Sequence, residues 1–220
     1  MLGCEMEAVY LRRLDTPSLE KPILLEGLPG FGNVGKIAAN LLIEFLNAKP
    51  FAELYSPYLP DYILVNGEGI CRLPWYRFYA SSSQNKHFII VTGDAQPSSE
   101  DVKAHYQLCS EILDVAMECG CEMVITTGGI PSMQPTDDIY VAATSPKLAE
   151  EIMNRGAILY SKGRSLGATG LLLGMAKQKR IPGICLLSLT TGLRADHKAA
   201  LNLFHFLIKL LGVDIKEALG

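Results

Sequence analysis

Several signatures of chemistry are missing from this sequence. It has no C-x-x-C pair, no H-x-E and no H-E-x-x-H, so no familiar spacing encodes a zinc site. Gly163-Arg164-Ser165-Leu166-Gly167 fits G-x-S-x-G in letters, but the stretch reads as a helix-entry loop or a turn and supplies no nucleophile elbow. The six cysteines, Cys4, Cys71, Cys109, Cys119, Cys121 and Cys185, are scattered. Cys119 and Cys121 flank a single glycine, too close for an unstrained local disulfide. In a chain of 220 residues they read as buried or free thiols in a reducing compartment. No basic start followed by an apolar run opens the chain, so no secretory signal is expected. The most apolar stretch, 199–213, is interrupted by Asn202, His205 and Lys209 and falls short of the roughly 20 apolar residues of a membrane span. These absences predict a soluble, cytoplasmic protein with no metal and no cofactor. It is expected to bind neither membrane nor nucleic acid.

Charge of one sign is also scarce overall. Twenty Lys+Arg oppose 23 Asp+Glu, a net charge of −3, which gives no reason to expect electrostatic binding of nucleic acid. The balance is uneven along the chain. Residues 1–144 hold 9 basic and 18 acidic side chains, and residues 145–220 hold 11 and 5. This gradient reads either as scatter on a solvated surface or as complementary patches that favour self-assembly.

What is present is apolar and glycine-rich. The chain is 49% hydrophobic with 20 glycines and 12 prolines, enough for a core without staples and too apolar for wholesale disorder. Apolar runs at 22–26, 87–92, 123–127, 139–144, 157–160 and 184–189 read as strands, and 5–13 as an edge strand. Helical spacing marks 34–46, with Pro50 as its stop, and also 168–179 and 195–211, with Gly212 as the last stop. Ser98 reads as the cap of a helix to about Cys119, and Ser145-Pro146 as the start of another. A last turn is expected at 215–219. The short pieces at 51–55, 62–65, 70–73 and 77–80 suggest a hairpin or meander beside the main sheet. Alternating strands and helices predict one α/β domain over residues 1–220, with 51–80 as an insertion and a largely parallel sheet covered on both faces.

Ligands of such sheets bind beyond the carboxyl ends of the strands, so the loops there are the ones to read. Four are small and glycine-bearing: 27–35, 93–98, 128–132 and 190–192. In the first, Gly30, Gly32 and Gly35 fit G-x-G-x-x-G, and Gly30 through Lys36 fits G-x-x-x-x-G-K. Ile37 stands where a Ser or Thr would hold Mg²⁺, and Glu53 sits mid-strand where a ribose-binding acid would close a second strand. The loop is therefore either an anion cradle or a tight strand–helix turn whose glycines serve packing. Asp94, at a strand end, is either a catalytic acid or base or the cap of its own loop. Gly30, Gly32, Gly35, Lys36, Asp94, Gly128 and Gly129 are the candidate cleft and anion-binding residues. No catalytic constellation is complete.

Taken as one run, Glu26-Gly27-Leu28-Pro29-Gly30-Phe31-Gly32-Asn33-Val34-Gly35 resembles the opening signature of archaeal and bacterial relatives of the proteasome assembly chaperones. Gly93-Asp94-Ala95-Gln96-Pro97, Thr127-Gly128-Gly129 and the segment 167–176 resemble later blocks, in the same order, from about Val9 to Val213. The resemblance implies a three-layer α/β/α sandwich with a largely parallel central sheet, similar in architecture to purine nucleoside phosphorylases. It implies a non-catalytic homo-oligomer that assists or docks on the α-subunits of the 20S proteasome. Members that dock by a tail often end in a hydrophobic residue, tyrosine and any residue. Here Leu219 is penultimate, which leaves docking through a surface or a different client. The alternative is a protein or enzyme that binds a nucleoside or phosphate compound in the glycine-lined cleft.

Overall fold

The computed structural model describes residues 9–83, 85–192 and 194–213. Its nine-stranded sheet is built around four parallel strands: β2 (Ile23–Gly27), β7 (Lys86–Gly93), β8 (Met123–Pro131) and β11 (Gly183–Thr190). They lie in the order β7-β2-β8-β11. The flanks are mostly antiparallel. On one side β6 (Tyr76–Ser83), β3 (Lys49–Tyr55) and the edge strand β1 (Tyr10–Arg13) add outward from β7. On the other, β9 (Ile139–Ala143) runs antiparallel to β11, and β10 (Ile158–Leu159) runs parallel to β9 at the edge. The expected parallel character therefore holds at the centre, and the sheet as a whole is mixed.

Both faces are covered, which explains why the central strands read as continuous apolar runs. Alternation places Leu25, Phe88, Ile90 and Ile125 in the core under α1 (Val34–Phe45) and α5 (His197–Leu211). Leu24, Ile89, Val91 and Val124 belong to the opposite core, under α2 (Val102–Glu118) and α4 (Gly167–Gln178). A shorter helix, α3 (Pro146–Met153), starts as expected: the Ser145 hydroxyl accepts from the Leu148 N–H and Pro146 fills the first position. Gly212 ends α5 in the left-handed conformation, φ 60°.

Three local expectations change. Pro50 does not stop α1, which ends earlier at Phe45. The proline lies inside β3, beside a register shift between Pro50 and Ala52, where its missing N–H is tolerated. Asp101, not Ser98, caps α2, accepting from the Ala104 N–H at 3.0 Å. Of the 51–80 segment, only β4 (Leu64–Val65) and β5 (Cys71–Arg72) form a hairpin apart from the sheet. The stretches around 51–55 and 77–80 are full strands of it, because antiparallel partners were available on β7 and β6. The turn expected at 215–219 lies outside the described residues. Among the described residues no helix is long and apolar enough to cross a membrane.

Candidate functional site

Because β2, β7, β8 and β11 are parallel, their four glycine-bearing loops leave the same edge of the sheet. Side chains and backbone join them there. The Thr92 hydroxyl donates to Gly27 O at 2.8 Å, and the Ser132 N–H donates to Thr190 O at 2.8 Å. Gln96 spans the gap between loops: its Nε2 donates to Pro29 O, and its Oε1 accepts from the Ala168 N–H at 2.9 Å.

The result is a cleft of about 880 Å³. Leu28, Phe31, Ile130, Leu166, Leu171 and Leu187 supply most of its apolar wall. Gly30, Gly35, Gly128 and Gly129 line it, whereas Gly32, Lys36 and Asp94 do not. Most of these glycines are filled by neighbouring chain. A Cβ on Gly35 would stand 2.3 Å from Thr127 O, and one on Gly129 would stand 2.5 Å from Phe31 O. Gly32, at φ 60°, faces Thr190 and the start of α5. Of the candidate glycines, Gly30 alone looks onto open space. Close packing of loops therefore accounts for Gly35 and Gly129.

Asp94 occupies a different corner of the edge. The Arg72 guanidinium donates to its two oxygens at 2.5 and 2.9 Å, and the Trp75 N–H donates to it at 3.1 Å. Arg72 also stacks on Trp75, 3.8 Å from the ring centroid, with Arg77 at 4.6 Å. Burial alone would raise the Asp94 pKa, but the hydrogen bonds from Arg72 and Trp75 reverse that and hold it below the ordinary value. The corner is a closed, charge-compensated clasp that ties the hairpin to the sheet. Glu53 is likewise buried in β3 and paired with Arg77 at 3.0 Å and Arg12 at 3.7 Å, so it serves no ribose.

Sequence reasoning overlooked Glu26. It is fully buried in β2, on the α2/α4 face and directly beneath the cleft. Its Oε1 accepts from the Leu28 N–H at 2.9 Å and its Oε2 from the Thr127 N–H at 3.4 Å, and the Thr169 hydroxyl lies against it. Burial pushes its pKa up to about 7, against the pull of those hydrogen bonds. A single acid at the end of an apolar run, just before a glycine loop, was the available signal.

With the geometry in place, comparison with known proteins is informative. Residues 24–218 match the PAC2 family. An uncharacterized protein of Methanocaldococcus jannaschii is 33% identical over 204 residues, covering 91% of this chain and 78% of its own. The solved structure of Pyrococcus furiosus PbaB, an archaeal proteasome activator, is 33% identical with a TM-score of 0.87, covering 96% of this chain and 92% of PbaB. That of P. furiosus PbaA, an archaeal homolog of proteasome-assembly chaperone, is 29% identical with a TM-score of 0.78, covering 96% of this chain and 85% of PbaA. The family match spans all four edge loops, and the chain belongs to the PAC2 family.

Proposed function

We propose that this chain is a non-catalytic, homo-oligomeric binding protein that assists or docks on the α-subunits of the 20S proteasome. The observation that carries this reading is the similarity to PbaB, a proteasome activator, across 96% of the chain. The hairpin is a suitable contact surface. Tyr62, Ile63, Val65, Ile70 and Leu73 are all exposed on or beside it, more apolar surface than a solvated hairpin needs. Self-association draws support from charge. The sheet order sets most strands of the acidic two-thirds on one side and β11 and β10, from the basic third, on the other, with β9 between those two.

Native gels of the full chain with 20S particles and with free α-subunits test the proposal. A shifted complex that weakens in the Ile63→Ser/Ile70→Ser double variant is expected. Association with neither form would overturn it. Sedimentation across a salt series tests the oligomer, which should loosen as salt rises.

A further inference from the structure

We infer that the cleft is a binding site for a small, apolar organic monoanion, such as an aromatic or branched aliphatic acid. This goes beyond proteasome docking and stands or falls independently of it. Three observations carry it. The first is size: about 880 Å³ lies within the roughly 300–1,000 Å³ of small-molecule sites, at the strand edge where α/β sheets bind ligands. The second is the unusual wetness of large apolar groups at its mouth. Phe31, Leu166 and, one turn apart on α2, Val102 and Tyr106 line the cleft and are 44, 66, 61 and 53% exposed. An apolar ligand seated among them would remove much of that surface from water.

The third observation is charge. Among the described residues no Asp or Glu lines the cleft, although acidic side chains outnumber basic ones in the chain. Its one guanidinium, Arg164, is exposed and has no carboxylate within 4.0 Å among the described residues. The other cleft group that can carry charge, His105, has its Nε2 hydrogen-bonded to Ser98 O at 3.2 Å. The described lining thus holds no carboxylate and offers one cation, which suits a single carboxylate on an apolar body. Polyphosphates fit poorly: Lys36 does not line the cleft, and backbone fills the space beside Gly35 and Gly129.

A matched pair of fluorescent probes tests this in the full chain: 1-anilinonaphthalene-8-sulfonate and its uncharged parent N-phenyl-1-naphthylamine. Both should bind saturably at one site per chain, the sulfonate about two- to fivefold more tightly because of a solvent-screened Arg164 contact. Arg164→Gln should erase that preference and leave the uncharged probe unchanged. Leu166→Asp should weaken both by roughly tenfold, through loss of one apolar wall. These side chains are exposed, so the variants should fold, and thermal melts check that they do. Ile63→Ser/Ile70→Ser on the hairpin should leave both affinities intact. Non-saturable binding, an Arg164→Gln variant that keeps the preference, or loss of binding in the hairpin variant would each overturn the assignment.

Discussion

Glu26 and Asp94 sit at neighbouring points of one sheet edge and are treated in opposite ways. Glu26 lies under the cleft with no cation against it among the described residues. Backbone N–H groups satisfy its oxygens, and burial raises its pKa to about 7. Asp94 lies under the hairpin with Arg72 forked onto it, and its pKa is lowered. The carboxylate with a cation forked onto it is closed over; the one without lies beneath an open cleft. The difference teaches that a carboxylate after a strand says little about function until the element crossing over it is known.

The largest way to break this comparison is pH. The unfolded Glu26 ionises near 4.5 and the folded one near 7, so the folded state holds the extra proton between those values. Stability therefore falls as pH rises through that window, by on the order of 3 kcal/mol from this one group. Glu26→Gln, which cannot ionise, should flatten that slope in urea denaturation run from pH 4.5 to 8. Asp94 has the opposite sign: its contribution is present above its unfolded value of 3.8 and is lost as pH falls through the lower folded value.

Next in size is packing at the open corner. Gly129→Ala drives a methyl toward Phe31 O and should cost about 2 kcal/mol, measured by denaturation midpoint. Gly30→Ala, with nothing within 4 Å, should change stability by less than about 0.5 kcal/mol. Equal losses would mean that both glycines serve the backbone alone. A smaller loss than that of Gly129→Ala belongs to the closed corner. Arg72→Ala strips Asp94 of its fork and Trp75 of a stacked cation, and should cost about 1 kcal/mol at neutral pH. That loss should shrink in acid as Asp94 takes up a proton.

Much of the fold was legible because local signals and tertiary demands agreed. The apolar runs at 22–26, 87–92, 123–127 and 184–189 are too apolar to face water on either side, and all four are the central parallel strands. Ser145-Pro146 and Gly212 bound their helices by local backbone chemistry alone. Ser98 misled because two capping residues lie three apart, and the choice fell to Asp101. Gln96 and His105 tie the intervening loop to Pro29, Ala168 and Ser98, and the helix can begin only past that loop. Strands 49–55 and 76–83 were visible as strands, but their place in the sheet depends on non-local pairing with β7.

By itself the sequence determined the α/β alternation, the shared edge for four glycine loops and the family resemblance, since each rests on residues close along the chain. Only the tertiary structure decided which loop residues share a space. Lys36 and Asp94 belong to the same edge, yet neither lines the cleft; Glu26, Gln96 and Arg164 do the work of shaping it from far apart in sequence. The reason is physical. Burial, ion pairing and the closeness of one backbone to another are properties of neighbours in space, and strand order alone sets those neighbours.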